Sequence, residues 1–537
     1  MSEQQYSSEV EFRGIIITSS LVMVSFVILC VFGFFLGRTT PDATFATAIV
    51  AFITNRFAAV PLQTYEARAM IYTVLSIFAA VIIGYFSYLK IKRIIKSRQS
   101  VQHMKSRYES SQGSAELSRI EDLKKLRGSN GIIIGYNKKK PVRFSVRASC
   151  EHSAVIGPTG CGKTSRFFIP NLLSLPENSS AVITDPKGEI KEATADELQS
   201  RGWEIYTLST ERPETSVSFN PLAIARDETE ISELAEIILT NGYSSSGDVS
   251  DTQWINFSQP LWEAALLAEI RRAEMSEEVP TIKNAGRIIT AYTEDERAEM
   301  FKLLGGTALE RYAAYNQSVQ SPETAASIRS VLTSSIKLFN RQDVNHITKE
   351  GKIFNPTWLR QKPCIFFIQF PERKTNLLKP FSATLYWQLL EHIIDIVDIP
   401  VFFFLDEFPN LGQIPGFAQA AATVRSRKIS INIGLQGVEQ LSREYSAEEQ
   451  KDILNNMKTK IYFPGSTGES GKYTSELSGY STIKIRGQEQ RSELLTADEL
   501  RRIPDDCVVV LAHNLNPIVL DSVPYFKQKK FKHLCQD

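Results

Sequence analysis

The stretch "SAVIGPTGCGKT", residues 153–164, restricts the fold of this 537-residue chain more than any other. A short apolar run enters a loop holding three glycines, and a second apolar run, "SRFFIPNLL", leaves it. Gly157, Gly162, Lys163 and Thr164 satisfy the spacing GxxxxGK[ST]. Glycines let successive backbone N–H groups turn inward around an anion, and the helix that follows points its positive end at the same place. The expected cradle is Gly157, Pro158, Thr159, Gly160, Cys161, Gly162, Lys163, Thr164 and Ser165. Lys163 is expected to reach the β- and γ-phosphates of ATP, with the Thr164 hydroxyl on Mg2+. Strand, loop and helix in that order predict an α/β fold around a parallel sheet.

A cradle of this kind needs an acid on the metal side. "IPVFFFLDEFPNLG", residues 399–412, supplies one. Val401 to Leu405 are uninterrupted apolar residues, as in a strand buried on both faces. The run ends in Asp406 and Glu407, at the carboxyl end of the strand, where open α/β sheets bind ligands. Asp406 is expected to join the magnesium shell and Glu407 to orient or deprotonate an attacking water. "ELSGYS" at 476–481 echoes the signature of ABC-type ATPases, but it follows the Asp-Glu strand and is incomplete, so we read a loop there.

Two runs, 14–37 and 69–89, carry no charge. Twenty-one helical residues span about 31 Å, close to a bilayer's apolar thickness. Both are predicted to be transmembrane helices, joined by an external loop at 38–68. A cleaved signal peptide fits less well, because no small-residue cleavage site follows the first run. Lys90, Lys92, Arg93, Lys96 and Arg98 set the cytoplasmic side and could touch anionic lipids. Lys and Arg total 61 against 60 Asp and Glu, so a globally basic nucleic-acid binder is not indicated. The six cysteines show neither CxxC nor a His/Cys cluster, which argues against a zinc site or a disulfide framework.

Beyond the glycine loop the chain resembles the type IV secretion coupling proteins of the TraG/TraD type. The resemblance rests on two N-terminal spans, "HSAVIGPTGCGKT", "ITDPKGEI" (183–190), "SFNPL" (218–222), "DEFPNLGQIP" (406–415), "VRSRKISINIGLQ" (424–436) and "ELLTADELRRIP" (493–504). The family's usual GSGKT is GCGKT here, and Cys161 introduces an oxidisable group. The resemblance implies a RecA-like ATPase, active as a hexamer, with an inserted all-α domain. It assigns Gln436 as a γ-phosphate sensor at a strand end. Arg425 or Arg427 is either an arginine finger for a neighbouring subunit or ordinary surface charge. Asp185 and Lys187 are either nucleotide contacts or a polar turn.

The resulting scheme is an anchor at 1–98, a stem at 99–129, a RecA-like domain at 130–225 plus 346–530, an all-α domain at 226–345 and a tail at 531–537. Ile328, Val331, Leu332, Ser335, Ile336 and Phe339 have helical spacing inside the α-domain, and "NGYSSSGDVSDTQW" (241–254) is read as its loop. Trp254, Phe257, Trp262 and Tyr292 could stack on the bases of single-stranded DNA, although core packing is the favoured reading. The implied function is an ATPase in the bacterial inner membrane. It would couple a DNA–relaxase complex to the proteins of a type IV secretion channel. Rival readings are an effector-protein receptor of the same family, an FtsK-like double-stranded DNA pump and a non-hydrolysing docking receptor.

Overall fold

Runs rich in valine, isoleucine and phenylalanine alternate with helices and assemble one large sheet. A computed structural model describes residues 115–535, apart from 244–248, 320, 350–351, 467 and 486–487. The expected spans at 14–37 and 69–89, the loop between them and the basic run after them lie outside the described residues. No helix among the described residues is long and apolar enough to cross a membrane.

The strands are β1 (Ile133–Asn137), β2 (Lys140–Arg143), β3 (Ser153–Ile156), β4 (Ser180–Thr184), β5 (Glu204–Ser209), β6 (Cys364–Gln369), β7 (Val401–Leu405), β8 (Ile429–Leu435), β9 (Thr459–Tyr462), β10 (Tyr480–Ile485), β11 (Gln488–Glu493), β12 (Cys507–Ala512) and β13 (Ile518–Asp521). Eleven of them form one sheet in the order β2-β1-β13-β12-β9-β3-β8-β7-β4-β6-β5. From β9 to β5 every pairing is parallel. From β9 outward to β2 every pairing is antiparallel, so the sheet is mixed. All five residues of β7 are buried, as an uninterrupted apolar strand requires. Phe402 and Phe404 join a core with Phe167 and Phe168 from the helical turn after the glycine loop. Phe403 faces the other way and is equally buried.

Between β5 and β6 the chain is helical. Helices Glu228–Tyr243, Val249–Ser276, Ile282–Thr290, Glu294–Leu304, Gly306–Ser318 and Pro322–Ile336 fill the span expected to be all-α. The six residues of the predicted helical stripe, Ile328 to Phe339, are all buried. The two chain crossings that bound this region are tied together by a bridge between Ser218 and Ile353. Asn220 of "SFNPL" caps the next helical turn by accepting from Leu222 and Ala223 N–H, and its amide donates to Pro280 O at 2.9 Å.

A buried carboxylate fastens these helices to the sheet domain. Glu230 accepts from the backbone N–H and the guanidinium of Arg226, both at 2.9 Å, and from Gln388 at 3.2 Å. It also pairs with His392, which shares the helix Thr375–Ile393 with Gln388. Burial alone would raise the Glu230 pKa, but the hydrogen bonds from His392 and Arg226 outweigh it and bring it down to about 2. A depressed carboxyl pKa adds stability above the unfolded value of about 4.3, and that stability is lost as pH falls toward 2. Urea midpoints should therefore drop steadily from pH 5 to pH 2, and Glu230→Gln should flatten part of that slope. An unchanged slope in the variant would count against this linkage.

Two local expectations differ from the structure. Residues 476–478 of "ELSGYS" end a helix, Glu469–Ser478, and Tyr480 begins the β10–β11 hairpin, so this is not a loop. The buried face of that helix is made of Ser470, Gly471, Thr474, Ser475 and Ser478. Ser475 donates to Leu495 O at 2.6 Å, and Thr474 and Ser478 donate to carbonyls one turn back. Hydroxyls satisfied in this way carry no apolar periodicity to read. In the polar stretch 241–254, residues 241–243 end one helix and 249–254 begin the next, so its described residues are helical.

Candidate functional site

Strand β3 lies between β8 and β9 and delivers the glycine loop to the carboxyl edge of the parallel sheet. Gly162 has φ +90°, a backbone that side-chain-bearing residues rarely adopt, which lets the loop turn into the helix. Lys163 is buried, and its ammonium donates to Gly157 O at 2.6 Å. The same ammonium lies 4.0 Å from Glu407 Oε1. Thr164 opens a π-type turn, Thr164–Phe168, that continues as the α-helix Ile169–Leu172. The Cys161 thiol pKa is raised by burial, which disfavours the reactive thiolate despite the nearby Lys163.

The acid pair comes from β7, two strands away. Thr164 Oγ1 donates to Asp406 Oδ2 at 3.0 Å, joining the glycine loop to β7 across the intervening β8. Asp406 Oδ1 is buried without a hydrogen-bond partner. Burial pushes the Asp406 carboxyl up to about 6 even though Lys163 opposes it. Glu407 sits in the left-handed region at φ 57° and ψ 50°. A non-glycine residue held there stores strain of order 1–3 kcal/mol, a feature that clusters at functional sites.

Gly434 of β8 explains how Asp406 finds room. A Cβ there would lie 2.8 Å from Asp406 Oδ1 and 3.1 Å from the Phe168 ring. Alanine in a strand would gain roughly 0.5–1 kcal/mol over glycine, but overpacking costs about 1–3 kcal/mol. Gly434→Ala should therefore lower stability by up to about 2.5 kcal/mol in urea unfolding. A variant more stable than the parent would remove this account.

One cleft gathers Pro158, Thr159, Gly160, Gly162, Lys163, Thr164, Ser165, Asp185, Lys187, Asp406 and Glu407. Asp185 is buried and accepts from Ile190 N–H at 3.1 Å, Lys191 N–H at 3.0 Å and the Gln369 amide at 3.1 Å, so it holds the turn that starts helix Glu189–Ser200. Lys187 is exposed and pairs with Glu372 at 3.4 Å. Gln436 follows β8, between the strands that carry the loop and the acids, but it does not line the cleft. Its backbone N–H donates to Gln440 Oε1 at 2.9 Å.

Arg425 lies at the other end of β8, where its guanidinium is 3.9 Å from Glu151. Seven strand residues separate it from the cradle edge, about 23 Å at 3.3 Å per residue. Arg427 is tied through its carbonyl to Arg360, which is fully buried and donates to Ile393 O, Ile399 O and Arg427 O. Trp262 is core, Trp254 and Phe257 are half-buried in an edge-to-face pair, and Tyr292 is exposed. Sequence reading missed Gly434, Glu372, Tyr525 and Phe526, all of which meet this site through the fold. It also missed Asn241, whose amide accepts from Gln413 N–H at 2.7 Å and donates to Gln413 O at 2.9 Å, clamping the segment after the acids to the helical region.

Fold and loop together define a P-loop α/β protein with helices inserted between two strands of its sheet. The family described as "Type IV secretory system Conjugative DNA transfer" matches residues 113–536, and the chain belongs to it. It is 25% identical over 418 residues to Protein VirD4 of Rhizobium radiobacter, covering 72% of this chain and 58% of that one. It is 24% identical over 420 residues to Protein VirD4 of Rhizobium rhizogenes, covering 72% and 60%. The match thus spans about three fifths of the length of these relatives. Among solved structures, plasmid coupling protein TrwB with the ATP analogue ADPNP superposes at TM-score 0.62 and 17% identity, covering 78% of this chain and 95% of that one. TrwB with ADP and Mg2+ gives 0.61 and 16%, covering 78% and 94%. At these identities the likeness is one of fold.

Proposed function

We propose that this chain is a membrane-anchored ATPase that couples a DNA–relaxase complex to a type IV secretion channel and drives transfer by hydrolysis. The observation that carries the reading is the Thr164–Asp406 contact, 3.0 Å across the crevice, with Asp406 Oδ1 left unpartnered beside it. A hydroxyl and a carboxylate with a spare oxygen are hard donors that fit Mg2+, which takes one or two carboxylates and completes its shell with water and phosphate oxygens. A magnesium ion held by Thr164 and Asp406 would supply charge neutralisation at the phosphates. Lys163 offsets phosphate charge from within the loop, and Glu407 stands beside it to take a proton from water. Gln436 would sense the γ-phosphate by way of β8, and Arg425 would serve a neighbouring subunit of a hexamer.

The domain scheme belongs to the same proposal. A RecA-like motor, 130–225 plus 346–530, carries an all-α domain at 226–345 that engages cargo. The charge-free runs at 14–37 and 69–89 support an inner-membrane anchor with the bulk of the chain cytoplasmic. Phosphate release by the purified full chain tests the enzyme. Site-specific crosslinking from the 226–345 helices during transfer tests the cargo. Adducts with DNA support the conjugative reading, and adducts with protein alone favour the effector receptor. A chain that binds nucleotide without releasing phosphate under any cargo condition would be a docking receptor instead.

A further inference from the structure

We infer that Tyr525 and Phe526 form the wall on which the base of the bound nucleotide stacks. This rests on the nucleotide reading of the cradle and adds a base subsite to it. The cleft, about 410 Å³, is polar where Lys163, Asp406 and Glu407 line it, and it also takes in Tyr525 and Phe526 from the segment after β13. Their rings stand edge to face, 5.5 Å between centroids. Phe526 is 46% exposed, one of few large apolar side chains among the described residues left open to solvent. A ring of that size at the mouth of a phosphate cleft is explained by a flat apolar partner that arrives with the ligand.

The wall is built rather than draped. Tyr525–Lys527 forms a short 3-10 turn entered through Pro524. Lys527 N–H donates to Pro524 O at 3.0 Å, and Gln528 N–H donates to Tyr525 O at 3.0 Å. The Gln528 side chain donates to Tyr136 Oη at 2.7 Å and to Val523 O at 3.0 Å, which pins the turn to β1. The backbone that carries the two rings is thus set before any ligand arrives, so little backbone ordering entropy is spent on binding. Phosphates at the loop and a base at the rings would orient one nucleotide from both ends. Stacking on an aromatic face tolerates any base, so ATP and GTP should depend on this wall alike.

The test compares ligands with and without a base on the purified full chain. Phe526→Ala should weaken ADP and GDP binding by about five- to 150-fold, the range of a lost base–aromatic stack. Its affinity for inorganic tripolyphosphate should stay at the wild-type value. Phe526→Trp should restore nucleotide affinity, and its added fluorescence should be quenched by ADP but not by tripolyphosphate. Wild-type ADP affinity in Phe526→Ala overturns the inference, as does an equal loss of ADP and tripolyphosphate or the absence of quenching in Phe526→Trp. A wild-type chain that binds neither ADP nor tripolyphosphate would instead sink the nucleotide reading itself, and this inference with it.

Discussion

Arg425→Ala is expected to keep nucleotide affinity near that of the parent and to lose turnover by about 10³–10⁵, the worth of an arginine finger. A guanidinium is permanently charged and matches the spread charge of a phosphoryl-transfer transition state. Arg425 cannot reach the cradle of its own subunit, because β8 holds it at the opposite edge of the sheet. Its contact with Glu151 is 3.9 Å and its side chain is 55% exposed, so releasing it for a neighbour costs little. The turn that carries it, Arg425–Arg427, is anchored through the Arg427 carbonyl, which accepts from the buried Arg360. Mixing decides the matter. Arg425→Ala subunits and Lys163→Ala subunits, each inactive alone, should recover phosphate release when co-assembled, because some interfaces then pair an intact cradle with an intact finger. If confirmed mixed oligomers stay silent at every ratio, the trans assignment fails and Arg427 becomes the candidate.

Glu407→Gln should bind nucleotide normally and turn over about 10²–10⁴ more slowly, the usual contribution of a positioned base. Glutamine keeps the length and most of the hydrogen bonding but cannot accept the proton. The left-handed backbone at 407 tolerates both residues equally, so the substitution leaves the strain where it is. Binding measured with a non-hydrolysable analogue and turnover measured by phosphate release separate the two effects. If binding is lost along with turnover, Glu407 acts on the metal or the fold rather than on water.

The glycine loop and the acid pair were legible because each is contiguous. A run of apolar residues fixes a strand, and the residues next in the chain must emerge at its carboxyl end. That logic needs no knowledge of neighbours, and it brought Lys163, Thr164, Asp406 and Glu407 to one cleft. The helical stripe from Ile328 to Phe339 was legible for the same local reason. By contrast, the helix Glu469–Ser478 buries serine and threonine, whose hydroxyls bond to carbonyls, so its pattern looks like a loop until its partners are known.

By itself, then, the sequence determined what stands at two strand ends: a glycine loop with Lys163 and Thr164, and the adjacent acids Asp406 and Glu407. Tertiary structure decided who stands beside whom. It inserted β8 between the loop strand and the acid strand, so that Gly434 rather than a larger residue makes room for Asp406. It separated Arg425 from the cradle although both flank strands of one sheet. It set Asn241 against Gln413 and carried Tyr525 and Phe526 back over a loop that lies more than three hundred residues earlier. Strand order and long-range contact leave no periodic trace in a chain, because they depend on which apolar faces meet and not on the spacing within any one of them.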